Sequence, residues 1–168
     1  MAGNVVELDK ADVWLRDVEV QFRRSAVKGL HAAALRGVQM IVTQIIPARS
    51  PQPVDRGVYR SGWRPVLRAD GADIENLEPH ALFIEEGVRA ANVKIGRPLI
   101  QALAEWAVRK RLATPKNAVS VAWSIAKTMQ RRGIFGQRGL GVLRELVDNH
   151  LEQIIQEEVA REMEKGVR

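Results

Sequence analysis

Pro53-Val54-Asp55-Arg56-Gly57-Val58-Tyr59-Arg60-Ser61-Gly62-Trp63 divides the chain into two periodicities. Upstream, apolar residues recur every three or four positions, the helical period. Downstream comes a short strand-like stretch, and then helical patterns resume. Pro53 has a fixed φ and no amide hydrogen, so it cannot continue the preceding helix. Asp55 suits a turn in which a carboxylate accepts backbone N–H groups two or three residues on. Gly57 suits a positive φ, and Gly62 a close approach of backbone. Tyr59 and Trp63 are four apart and share one face of a short helical turn. The plain reading of the stretch is a turn carrying two aromatic anchors.

Working back from it, residues 8–46 read as one long helix, strongest from Asp12 to Ile46. Trp14, Val18, Phe22, Ala26, Leu30, Ala34, Val38, Ile41 and Ile45 keep to one face, while Arg16, Arg23, Arg24 and Lys28 lie off it. Asp9 or Asp12 is placed to cap the start. At about 1.5 Å per residue such a helix is roughly 50 Å long. That exceeds what a small domain covers, so part of it is expected to pack on another subunit. A break at Gly29 or Gly37 is the alternative. A strict a/d seam does not persist, which argues against a free-standing coiled coil. Pro47 is expected to end the helix, and 47–57, with three prolines and Gly57, to be an irregular loop.

Working forward, Trp63–Ala69 reads as a strand, with Pro65 restricting it to an edge. Asp70-Gly71 is a hairpin signal, and Ala72–Leu77 is the return strand. Pro79 opens a short helix that buries Ala81, Phe83 and Ile84 and stops at Gly87. Residues 88–96 are a second loop. Arg97-Pro98 opens a helix carrying Leu99, Ile100, Leu103, Trp106 and Ala107, and Arg109-Lys110-Arg111 ends it, where cations suit the helix dipole. Thr114-Pro115 reads as an N-cap and N1 proline for a helix to Arg132, burying Ala118, Val121, Ala122, Ile125, Ala126 and Met129. After Gly133–Gly139, a last helix from Leu140 to Lys165 buries Leu143, Val147, His150 or Leu151, Ile154 and Ile155. These elements predict an α+β fold in a single domain over 1–168: a long N-terminal helix, a small antiparallel hairpin or sheet (the 47–96 region), and C-terminal helices (97–165) packed on one face.

The charge of +6 is distributed in blocks. Residues 71–88 carry five acids and no base, 89–138 eleven bases and one acid, and 139–168 seven acids and four bases. Alternating blocks suit self-association or docking on a charged partner as well as they suit nucleic acid. There is no cysteine, so disulfides and thiolate metal sites are excluded. The first ten residues lack an apolar signal core and no apolar run reaches about 18 residues. A soluble chain without a signal peptide is expected.

No phosphate-cradling loop, nucleophile elbow or zinc spacing is present. His31, His80 and His150 fall in three different elements. His80 with Glu85 and Glu86 is the nearest approach to an acid–base or ligand cluster, but five-residue spacing serves one helical face poorly. Adjacent pairs Glu85-Glu86 and Glu157-Glu158 point apart on a helix and read as solvated faces. Arg109, Lys110, Arg111, Lys116, Lys127, Arg131, Arg132 and Arg138 form the best nucleic-acid candidate. A recognition helix places its polar and basic residues near its N-terminus. Here that end carries only Lys116, which favours non-specific phosphate contact over base readout.

Three motifs carry a resemblance. Pro53-Val54-Asp55-Arg56-Gly57-Val58-Tyr59-Arg60-Ser61 resembles the Pro-Val-Asp-Thr-Gly-x-Leu-Arg-x-Ser signature of tailed-phage neck and tail-completion proteins. Arg56 stands for Thr, Tyr59 for Leu, and Ser61 follows Arg60 directly. Asn76, Ala81, Glu85 and Gly87 match that family's Asn-x-x-x-Tyr-Ala-x-x-x-Glu-x-Gly, with His80 in the Tyr place. Ile125, Ala126, Met129, Gly133, Ile134 and Gly136 follow its Ile-Ala-x-x-Ile-x-x-x-Gly-Ile-x-Gly. The resemblance spans roughly 30–160. It implies a non-enzymatic, cofactor-free virion component, assembled in the host cytoplasm into a homo-oligomeric ring at the head–tail junction. The implied partners are connector or adaptor proteins, tail terminator or tail tube, and the DNA passing through. No membrane or small-molecule substrate is implied. A tail terminator, or a small DNA-binding module using 97–138, are the alternatives. The expected interface residues are Arg49, Val54, Asp55, Arg56, Tyr59, Arg60 and Arg64 around the first motif. Arg89, Lys94, Arg131, Arg132, Phe135 and Arg138 are expected in the later loops.

Overall fold

The structure is a computed structural model and describes residues 4–49, 57–135 and 139–166. Val54, Asp55, Arg56 and Arg138 lie outside the described residues. The chain is mostly helical with a long N-terminal helix, one two-stranded antiparallel sheet and C-terminal helices, an α+β fold. Its contacts gather into two compact units, each built from separated segments: Met1–Ile45, Trp63–Asn76 and Glu145–Arg168, and Ile46–Gly62 with Leu77–Arg144.

The first unit is organised by α1 (Asn4–Met40), which runs unbroken through both glycines. These glycines mark close approaches. A Cβ on Gly29 would lie 2.5 Å from Val159 Cα, and one on Gly37 would lie 2.8 Å from Ile74 Cδ1. The helix packed there is α8 (Glu152–Gly166). It runs antiparallel to α1, with Gly166 near Ser25, Val159 near Gly29, and Glu157 and Glu158 on Arg36. The predicted apolar stripe is therefore divided by function. Ala33, Ala34, Ile41 and Ile45 are buried, whereas Trp14 (64% exposed), Val18 and Phe22 (59%) are not covered among the described residues. They precede the point where α8 is described to end.

The expected stop at Pro47 is displaced. Residues Ile41–Ile45 form a π-turn, and α2 (Ile46–Ala48) carries the helix through Pro47. A π-turn moves carbonyls off the i−4 position where a proline ring clashes and a missing N–H is felt. The sheet pairs β1 (Trp63–Leu67) with β2 (Ala72–Asn76), Trp63 opposite Asn76 and Leu67 opposite Ala72. Pro65 is tolerated because both strands are edges. The connection is not the two-residue turn suggested by Asp70-Gly71. Four residues, 68–71, link the strands, closed by the Arg68 N–H on the Gly71 carbonyl at 2.9 Å.

The second unit holds α3 (Val58–Ser61), α4 (Ala81–Glu86), a 3₁₀ turn (Ala90–Asn92), α5 (Arg97–Arg109) and α6 (Ala118–Arg132). Ile100 and Leu103 of α5 meet Ala122 and Ala126 of α6. Ala81 and Ile84 of α4 are buried as expected, whereas Phe83 is exposed. Thr114 does not cap α6. Asn117 precedes it, and the Asn117 carboxamide oxygen accepts the Thr114 N–H at 2.7 Å, forming a separate turn. The last helix starts at Val142, as α7 (Val142–Leu146), and reaches α8 through a second π-turn, Val147–Leu151. Val147 is exposed, against the expected burial, because α7 turns Val142 and Leu146 inward.

Candidate functional site

In the second unit the chain folds around one carboxylate. Glu85 sits near the C-terminal end of α4, where Gly87 (φ 74°) stops the helix as expected. One Glu85 oxygen accepts the Tyr59 hydroxyl. The other accepts the Leu143 N–H at 2.9 Å, at the start of α7. Its own backbone carbonyl accepts the Gly141 N–H at 3.1 Å, and the Ile84 carbonyl accepts the Leu140 N–H at 2.8 Å. One residue beyond Gly87, Val88 exchanges two backbone hydrogen bonds with Ile134, at 3.0 and 2.9 Å. Gly133 (φ 80°) and Gly139 (φ 61°) make this possible: a Cβ would stand 2.3 Å from the Val88 carbonyl oxygen or 2.1 Å from that of Glu85. The three motifs read separately in the sequence, represented by Tyr59, by Glu85 and Gly87, and by Gly133 and Ile134, thus meet in one cluster.

Tyr59 was expected at an interface and is instead core, 2% exposed, with its hydroxyl on Glu85. It lies in α3, entered through Gly57 at φ 75° as the sequence suggested; Gly62 takes an ordinary right-handed backbone, φ −75°. Trp63 is buried too, in the first unit. Arg49 is half-buried, and its guanidinium donates to the Gly141 carbonyl at 3.4 Å. Arg60, Arg89, Lys94, Arg131 and Arg132 are exposed. Arg64 is exposed and pairs across the hairpin with Glu75 at 2.8 Å. Phe135 is half-buried and takes a left-handed backbone, φ 55°. The Val88–Ile134 bridge brings Arg89 and the Arg131-Arg132 pair to the same end of this unit.

The reading of both glutamate pairs as solvated faces is corrected for Glu85, Glu157 and Glu158, while Glu86 is exposed as expected. Glu85 is the hub just described. Glu158 is 5% exposed and is held by Arg36 at 3.0 Å and Arg161 at 2.6 Å, while Arg36 also holds Glu157 at 2.5 Å. The hydrogen bond from Arg36, then that from Gln153, keep the Glu157 carboxyl below its ordinary range, and Glu157 first among its partners raises Arg36. Sequence spacing within the last helix carries no signal for a partner 121 residues away. His31 reaches the hairpin, its Nε2 2.9 Å from the Arg68 carbonyl oxygen. His80 is exposed at the entry to α4, so with both Glu85 oxygens engaged no His80–Glu85 pair forms. Among the described residues no group of three His, Asp or Glu side chains is placed to hold a metal ion, and no helix is long and apolar enough to cross a membrane.

The basic candidates divide between the ends of the α5–α6 hairpin: Arg109, Lys110, Arg111 and Lys116 at its connection, Arg131 and Arg132 at the far end, with Lys127 one turn before. An open groove of about 480 Å³ follows α6, lined by Ser120, Val121, Ser124, Ile125, Thr128 and Met129 and closed by Arg132 and Gly133.

Searches with the chain find no matching protein-family model, no matching curated protein and no matching solved structure.

Proposed function

We propose that the protein is a non-catalytic structural subunit of a tailed phage or prophage, a neck or tail-completion component that forms a ring at the head–tail junction. One observation carries this reading: the motifs that resemble that family, far apart in sequence, converge on the end of α4, the first through Tyr59 on Glu85 and the third through Ile134 on Val88. Two glycines at positive φ, where any other residue would be strained, and a part-buried Tyr–Glu hydrogen bond are specific features for a loop region. They accompany the bonds that hold Val88 against Ile134 and Leu140 and Gly141 against the end of α4, and fixed backbone is what a subunit needs to dock reproducibly on a neighbour. Exposed Arg89, Arg131 and Arg132 flank the Val88–Ile134 bridge and, with exposed Lys94, suit acidic patches of adjoining subunits or the phosphates of passing DNA. A tail terminator would use the same ring architecture.

Light scattering of the purified protein at low and moderate salt tests the reading. A discrete ring, or a monomer that forms one on adding connector or tail proteins, supports it. A stable monomer that ignores those proteins refutes it. The exposed cations along α6 favour a second reading, non-specific DNA contact. That one is supported if a monomer shifts duplex DNA with an affinity that falls steeply with salt.

A further inference from the structure

The exposed first part of α1 and the open groove on α6 are complementary in length, polarity and charge. Ala11, Trp14, Leu15, Val18 and Phe22 fall on one face of α1 at about 100° per residue, and all are exposed. Asp12 and Glu19 border one side of that face and Asp17 the other. Over residues 11–20 the sequence carries three acids and one base, and Arg23 and Arg24 follow at the far end of the segment. The groove wall offers Val121, Ile125 and Met129, with Ser120, Ser124 and Thr128 beside them. The Ser124 and Thr128 hydroxyls already donate to the Ser120 and Ser124 carbonyls, at 3.2 and 3.0 Å. Covering them therefore strands no donor. Lys116, Lys127 and Arg131 border the serine edge, and the sequence from 107 to 138 contains no acid. Residues 11–24 and 120–133 are each 14 positions, about 20 Å of helix.

We propose that residues 11–24 of α1 are an arm that docks in the α6 groove of a second copy of the chain, antiparallel to α6. This rests on the assembly reading above and names its contact. The antiparallel sense sets Asp12 beside Arg131 and Glu19 toward Lys127, and leaves Arg23 and Arg24 at the Ser120 end, where Lys116 is the nearest cation. Arm and groove are different surfaces, so the contact is head-to-tail and propagates from copy to copy until a ring closes. The acids of α8 do not compete for the groove: Glu157, Glu158 and Glu162 are engaged by Arg36, Arg161 and Lys165. No ion pair among the described residues engages Asp12, Asp17, Glu19, Lys127 or Arg131.

The test uses two double variants of the full chain, both at exposed positions so that the fold is retained and checked by circular dichroism. Val18→Asp with Phe22→Asp disables the arm. Ser124→Trp with Lys127→Glu blocks the groove. Each alone is expected to lose assembly at concentrations at least tenfold above those at which the wild type assembles. Mixed in equal amounts, they restore one intact arm–groove contact and form a dimer of twice the monomer mass, and nothing larger. If the groove variant assembles like the wild type, the arm–groove contact is wrong while the assembly reading survives, and arms pairing with arms become the explanation. If the mixture stays monomeric although the wild type assembles, the contact is likewise overturned. A wild type that is monomeric at every concentration, with and without tail proteins, overturns both.

Discussion

Replacing Gly29 by alanine separates the local and tertiary views of the long helix by sign. In an isolated helix the change stabilises by about 1 kcal/mol, because glycine is the poorer helix former. In the folded unit the new Cβ stands 2.5 Å from Val159 Cα and 3.0 Å from its nitrogen, where ordinary contact begins at 3.4 Å. The obstacle is backbone, so α8 must move outward by about 0.9 Å, the difference between 3.4 and 2.5 Å. A gap of that size forfeits roughly a quarter to a half of the dispersion energy of the atoms it separates. Overpacking of this kind costs up to about 3 kcal/mol. Net of the helical gain near 1 kcal/mol, a loss of about 2 kcal/mol is expected. For a chain of this length that lowers the melting temperature by about 4–8 °C. Thermal unfolding followed by circular dichroism reads it, with Gly71→Ala as control, since a Cβ there meets nothing within 4 Å. A Gly29→Ala protein that melts at or above the wild type would falsify the close packing of α8 on α1.

Four further outcomes follow from the same reasoning. Arg111 holds a left-handed backbone (φ 58°) at the end of α5, in a C-terminal cap where the Leu112 N–H reaches the Ala107 carbonyl. Arg111→Gly is therefore expected to stabilise by about 1 kcal/mol in urea unfolding. Glu85→Ala removes the carboxylate that accepts both the Tyr59 hydroxyl and the Leu143 N–H and is expected to cost about 2–4 kcal/mol, whereas Tyr59→Phe, which removes one donor, costs about half as much; equal losses would argue against the shared hub. The lowered Glu157 carboxyl contributes stability above its unfolded pKa, and this is lost as pH falls through the folded value. The gap in urea midpoint between wild type and Arg36→Met should therefore shrink from about pH 7 to about pH 3, and a constant gap would assign Arg36 a packing role alone. Arg60→Glu with Arg64→Glu should leave a folded monomer while blocking assembly; normal incorporation into rings would remove this surface from the interface.

Periodicity along the chain was enough to place the long helix, the hairpin strands, α5 and α6, because each depends on contacts three, four or two residues away. The stops at Gly87 and near Arg109 were equally legible, since a helix end is a local event. What local pattern could not settle was which side of a helix finds cover. Ala34 and Trp14 belong to the same stripe, yet one is buried and the other exposed because the described α8 reaches only as far as Ser25. Pro47 differs from its local reading because a π-turn shifts the helical register before it, and Val147 because packing chose Val142 and Leu146 as the inward face of α7. Glu85 and Glu158 were assigned to solvent for a related reason: their partners, Tyr59, Leu143 and Arg36, come from elements far away in sequence. The residue types capable of the cluster were all written in the chain. Only the tertiary structure, by bringing Tyr59 and Leu143 onto the Glu85 carboxylate and Ile134 onto Val88 beside it, decided that they form a single site, because a hydrogen bond depends on distance in space and sequence separation alone does not fix that distance.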